Sequence, residues 1–165
     1  MEMQKKQTDK KEISSGVIIF RLEKKEPLFL ILYRGKSHWT FPRGKIENEE
    51  RSFEAALRET REETGLSRSD FSIINGFKAY EHWVFTKHRQ RISKTVIFYL
   101  GETKGKNVRL EPDFEGYGWF VYREALRIFS GEKNKENRKV LRQAYGFLKK
   151  KHKKRKEGND QKKSA

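Results

Sequence analysis

The chain has 165 residues, no cysteine, and 39 Lys and Arg against 23 Asp and Glu, for a net charge of +16. That length suits one domain with one core, and the lack of cysteine excludes disulfides and thiolate metal sites. No run of 18 apolar residues occurs and the opening MEMQKKQTDKKE has no apolar stretch, so neither a membrane-spanning helix nor a secretory signal is expected, and a cytoplasmic setting is.

Residues 1–12 are polar and without periodicity, and are read as a disordered N-terminus. SGVIIFR from Ser15 is short, β-branched and apolar, which predicts a buried strand. A charged turn from Glu23 to Pro27 leads into LFLILYR, Leu28–Arg34, a second strand, which Gly35-Lys36-Ser37 breaks. In His38–Gly44 the alternation of Trp39 and Phe41 predicts an extended segment, and Pro42 keeps Phe41 out of the helical region.

A helix is predicted from about Ser52 to Thr64. Phe53, Ala56, Leu57 and Thr60 recur at i, i+3, i+4 and i+7 and form its inward face. Gly65 stands where a left-handed cap is wanted. Phe71–His82 reads as a long strand interrupted at Gly76, Thr86–Ser93 as a basic loop or hairpin tip, and Lys94–Gly101 as a strand. Glu111–Phe120 is a loop entering a short strand. Arg123–Phe129 is a short helix, and Glu136–Lys149 a terminal helix with Val140, Leu141, Ala144, Phe147 and Leu148 as its apolar stripe.

Three carboxylates near the end of the first helix, Glu59, Glu62 and Glu63, are spaced to share one face. Like charges so placed destabilise a helix unless something offsets them. A divalent cation held through hard oxygen ligands would do so. A solvated acidic face is the plainer account of an isolated ExxEE. Here it belongs to a longer string, with Gly44, Glu50, Arg58-Glu59, Glu62-Glu63 and Gly65 at fixed intervals. Seven such matches arise by chance on the order of 10⁻⁸ per start site.

The string resembles the signature of the Nudix hydrolases, G-x5-E-x7-R-E-U-x-E-E-x-G-U with U bulky and aliphatic; Thr60 is the one departure. The resemblance covers about Gly16 to Phe147. It implies an α/β fold, an α/β/α sandwich with a mixed central β-sheet, over residues 13–148. It also implies hydrolysis of a phosphoanhydride in a nucleoside diphosphate linked to a further group. Mg²⁺ or Mn²⁺ would be held by Glu59, Glu62, Glu63 and the Gly44 carbonyl, with Arg58 bracing the glutamates. Glu59 would be the general base, and Glu111, Asp113 and Glu115 are alternatives on a later loop.

HWTFPRGKIE, ALRETREETGL, KTVIFYLGE and GYGWF are similar to segments of the asymmetrical diadenosine tetraphosphate hydrolases. In that branch Lys94 would contact the phosphate chain, Tyr117 would stack on adenine with Tyr80 as second candidate, and ATP and AMP would be the products. Arg43 and Lys45 are expected to help hold the polyphosphate through charge. Trp119 is read as core packing. WTFPRGKI also resembles mRNA-decapping Nudix enzymes, which keeps an RNA 5′-end activity as the alternative.

Residues 149–165 form a basic tail, with seven Lys or Arg in KKKHKKRK. It is either a frayed, solvated end or a sequence-independent arm for RNA phosphates. A monomer is expected.

Overall fold

The structure, a computed structural model, describes residues 9–105 and 107–163, the last eight by backbone alone. The expected disorder of residues 1–8 lies outside the described residues. Eight strands form one mixed sheet: β1 Lys10–Glu23, β2 Glu26–Tyr33, β3 Trp39–Thr40, β4 Arg43–Lys45, β5 Phe71–Ile73, β6 Ala79–Lys87, β7 Gln90–Thr103 and β8 Gly116–Val121. The helices are α1 Ser52–Thr64, α2 Tyr122–Ile128 and α3 Lys135–Lys163, with a 3₁₀ turn at Glu132–Asn134.

β1 and β7 lie parallel at the centre, from Lys10 opposite Ile92 to Phe20 opposite Glu102. All other pairings are antiparallel. β1 therefore begins five residues before the apolar run, and Lys10, Lys11 and Glu12 belong to it rather than to a disordered end. Their side chains are polar, but β7 offers their backbone a ladder, which an apolar pattern cannot reveal.

Alternation along the central strands gives the sheet two buried faces. Ile18, Phe20, Phe29, Ile31, Phe41, Val96 and Phe98 pack against Phe129 after α2 and Val140, Leu141 and Ala144 of α3. Val17, Ile19, Leu30 and Leu32 pack on the other side against Ala56 of α1, Leu66, Phe71 and Phe114, with Trp119 partly buried beside them. Helices on both faces of one mixed sheet make the α/β/α sandwich.

α1 has the predicted bounds. The Arg51 N–H donates to Glu54 Oε2 at its start (2.9 Å). At its end Gly65 takes φ 71°, and its N–H donates to the Arg61 carbonyl (2.8 Å), an end that Gly makes without strain. The inward stripe is rotated from the expected one. Ala55, Ala56, Thr60, Glu63 and Thr64 are buried, whereas Phe53 and Leu57 are only half-buried. Glu63, seven residues after Ala56, thus continues the buried stripe.

The expected long strand over Phe71–His82 is two strands, β5 and β6, separated by a turn with Gly76 at φ 85°. The basic tip after Thr86 is a two-residue hairpin. Lys87 pairs with Gln90, and His88 and Arg89 both take positive φ, the geometry whose twist matches the flanking strands. α3 runs past Lys149 to Lys163.

Candidate active site

β4 is three residues long and pairs with Ser14–Gly16 of β1. That ladder brings the backbone of Arg43–Lys45 against the second half of α1. Gly44 is needed for closeness: a Cβ there would lie 1.9 Å from Glu59 Cδ. The Arg43 N–H donates to Glu63 Oε2 (2.9 Å), and Arg34 Nη2 donates to Glu63 Oε1 (2.9 Å). Glu63 is 3% exposed. Burial outweighs those two donors and raises its pKa to about 7, with the charges of Glu59 and Glu111 adding to the rise. Glu59 is raised as well, by burial first and then by Glu62 and Glu111, against the pull of Arg58.

Arg58 organises the acids around it. Its Nε and Nη2 grip the two oxygens of Glu50 (2.8 and 3.0 Å), its Nη1 donates to Glu59 (2.8 Å) and Glu62 (3.1 Å), and its Nη2 also donates to the Lys45 carbonyl (2.9 Å). The hydrogen bond from Arg58 holds the Glu50 carboxyl below its usual range. A lysine could not make this forked set.

The donor set suits a divalent ion. Glu59 and Glu63 offer hard oxygens of the kind a divalent ion takes, and burial, with the neighbouring carboxylates adding, raises both pKa values. Among the described residues no three His, Asp or Glu side chains converge on one point as they stand. Instead Glu59 and Glu62 meet at Arg58 Nη1, and Glu63 turns to Arg34. Of the three alternative bases, Glu111 is the one whose charge reaches both Glu59 and Glu63. Asp113 faces Arg34 (3.9 Å), and Glu115 packs where a Cβ on Gly35 would be.

Beside this acidic face opens a cleft of about 1080 Å³, walled by Lys36–Trp39, Arg43, Glu81–Trp83 and Ser130–Asn137. Arg43 joins the two features, its amide on Glu63 and its side chain in the cleft wall. Lys94 Nζ lies 5.7 Å from the centre of the Trp83 ring. Burial lowers its pKa, followed by the charge of Arg43, with Lys45 contributing. Lys45 itself is exposed.

Of the expected substrate contacts, two lie outside this cleft and a third is ion-paired. Tyr80 stands opposite Ile97 and Tyr117 opposite Leu32. Opposed residues share a face, so both tyrosines lie on the α1 side of the sheet and neither lines the cleft. The aromatics that do are Trp39 and Trp83. The Arg43 guanidinium is ion-paired with the buried Glu81. Arg34 and Glu81 carry no local motif. An alternation count along Ala79–Trp83 would have marked Glu81 as a carboxylate at an inward position, whereas nothing in the chain marks Arg34.

A model of the NUDIX domain matches residues 10–144. The bis(5′-nucleosyl)-tetraphosphatase [asymmetrical] of Mus musculus is 38% identical over 143 residues, covering 81% of this chain and 92% of the mouse protein. The RNA pyrophosphohydrolase of Hydrogenovibrio crunogenus is 31% identical over 124 residues, covering 65% and 72%. The crystal structure of a C. elegans Ap4A hydrolase binary complex has a TM-score of 0.70 at 24% identity, covering 83% of this chain and 97% of that one, a likeness of fold. With the domain model spanning the whole sheet and the glutamate signature folded around Arg58 and Gly44, this chain belongs to the NUDIX family.

Proposed function

We propose that this Nudix hydrolase cleaves dinucleoside tetraphosphates asymmetrically, diadenosine tetraphosphate giving ATP and AMP, with Mg²⁺ or Mn²⁺ as its ion. The observation that carries the reading is the seating of Glu59 and Glu63 against the same Arg43–Gly44 backbone whose side chain walls the cleft. The likeness to the mouse enzyme supports the choice of substrate. A cytoplasmic, monomeric enzyme fits a substrate made from ATP.

Glu59, Glu62, Glu63 and the Gly44 carbonyl would hold the ion, with Arg58 keeping the first two in register. When bound, a divalent ion lowers the pKa of water and neutralises charge on phosphate. Glu59 would take the proton from the attacking water as general base. Glu111 is the next carboxylate in reach of that role. Lys94 and Lys45 hold the phosphate chain by charge. A polyanion beside Lys94 opposes the burial that lowers its pKa. Trp83 and Trp39, rather than Tyr117 and Tyr80, are the platforms offered to a base.

A panel of dinucleoside polyphosphates, nucleoside triphosphates, 5′-triphosphate RNA and capped RNA tests the substrate. Diadenosine tetraphosphate should give the highest kcat/KM. Capped or triphosphorylated RNA turned over far faster would replace this reading. Glu63→Gln should abolish Mg²⁺-dependent turnover; activity within about threefold of the parent, less than 1 kcal/mol of barrier, would refute the metal face.

RNA 5′-end hydrolysis is the second reading, favoured by one observation. α3 leaves the body as a helix on which Lys149–Arg155 are all exposed, a basic rod suited to an RNA backbone.

A further inference from the structure

Glu81 breaks the pattern of its own strand. On β6 the inward positions are Ala79, Glu81 and Trp83, and Glu81 lies opposite Val96, a core residue. An apolar side chain would pack there at no electrostatic cost, yet the site holds a carboxylate that is 1% exposed. Burying such a group requires compensation. Compensation comes from Arg43 Nη1 on Glu81 Oε2. Among the described residues Glu81 Oε1 has no hydrogen-bond partner. A local rule broken in this way marks function more often than accident.

The strand is held firmly where Glu81 stands. β7 pairs with it on one side, and the His82 N–H donates to Glu136 of α3 (3.2 Å). Arg43, in contrast, stands on a three-residue strand with one partner. Its guanidinium, held by Glu81, lies 5.3 Å from the centre of the Trp83 ring. Its backbone N–H is a hydrogen-bond donor to the buried Glu63. The anchor therefore sits on a nine-residue strand tied to β7 and α3, and the three-residue strand bears the group that needs placing.

We infer that Glu81 is a positioning residue for Glu63: by gripping the Arg43 side chain it fixes the Arg43 amide that orients the Glu63 carboxylate, and it keeps the Arg43 charge off the substrate phosphates. The inference rests on Glu63 serving the active site. It makes Glu81 and Arg43 one unit whose loss misplaces a ligand carboxylate without removing a substrate contact. The effect must therefore fall on kcat and not on KM.

The test uses the full chain and Glu81→Gln, Arg43→Met, Glu63→Gln and the apolar pair Arg43→Met with Glu81→Met. The pair matters because an unpartnered Arg43 can unsettle the fold, whereas replacing both members is commonly neutral. Two readouts are taken: steady-state kinetics with diadenosine tetraphosphate and Mg²⁺, and the residue-43 amide in ¹H–¹⁵N spectra without metal. Glu81→Gln should lower kcat about tenfold or more with KM within about threefold, as misplacement predicts. The residue-43 amide should move toward its position in Glu63→Gln. The double variant should lose no more kcat than Arg43→Met alone, since the two act as one unit. An amide that stays put in Glu81→Gln while moving in Glu63→Gln overturns the inference. So does a double variant with kcat within about twofold of the parent, or an Arg43→Met that raises KM about tenfold at unchanged kcat. If Glu63→Gln is itself fully active, the reading of the acidic face fails. If it is inactive while Glu81→Gln is not, only the role of Glu81 fails.

Discussion

Substituting Gly44 by Ala puts one methyl group into the tightest contact of the site. The added Cβ would stand 1.9 Å from Glu59 Cδ and 2.0 and 2.2 Å from its oxygens, where ordinary contact is 3.4–4 Å. The carboxylate must retreat by about 1.5 Å, and misplacement by about 1 Å can cost about 10²-fold. That is about 2.7 kcal/mol of barrier. The fold should hardly notice. The group displaced is the end of a flexible, partly exposed side chain, and Gly44 has no positive φ that Ala would strain. Turnover of diadenosine tetraphosphate with saturating Mg²⁺ should therefore fall about 100-fold, while the melting temperature moves by less than about 3 °C. Calorimetry with Mn²⁺ should show weakened binding, because Glu59 is one of the proposed ligands. A Gly44→Ala variant that keeps activity within about threefold of the parent would refute the close packing of Glu59 on β4 as a catalytic requirement.

Glu63 ties stability to pH. Its pKa is raised from 4.5 to about 7 in the fold, so its contribution is fully present below pH 4.5 and is lost as pH rises through 7, a loss of about 3 kcal/mol in metal-free protein. Urea melts from pH 5 to 8 should show that decline in the parent and a flatter profile in Glu63→Gln, with added Mn²⁺ restoring more stability at pH 8 than at pH 5.5; identical profiles would refute it. Among the described residues the buried Thr60 hydroxyl has no hydrogen-bond partner, so Thr60→Val should raise stability by about 1 kcal/mol, or about 2–4 °C in the melting temperature. A lower melting temperature would show that the hydroxyl is satisfied in solution. Truncation after Leu148 leaves the buried Val140, Leu141 and Ala144 in place and should preserve turnover of small nucleotides, while filter binding to RNA loses most of its salt dependence; full-length salt dependence in the truncated chain would remove the arm from RNA binding.

Local chemistry was enough for much of this protein. The bounds of α1 followed from its apolar spacing and from Gly65, and the acidic face followed from the spacing of Glu59, Glu62 and Glu63. The helix bounds and the acidic face depend on neighbours within about one or two helical turns, so the order of residues contains them. The sandwich was implied by the resemblance of the Gly44–Leu66 string to the Nudix hydrolases. The full length of β1 was not legible, because polar Lys10–Glu12 are held by backbone bonds to β7 and not by their side chains. Nor was the burial of Glu63, whose donors are Arg34, 29 positions away, and the Arg43 amide, 20 away.

The division is sharpest at the cleft. The branch resemblance offered Tyr117, with Tyr80 second, as platforms for adenine, and Arg43 beside the signature was expected to hold phosphate. Strand register puts both tyrosines, opposite Ile97 and Leu32, on the α1 face and outside the cleft, and it brings Arg43 to a carboxylate from β6. By itself the order of residues determined which side chains could grip an ion and a phosphate. Which of them face the same space was decided only when the sheet formed, because a strand turns alternate side chains to opposite sides and only its partner's register says which side is which.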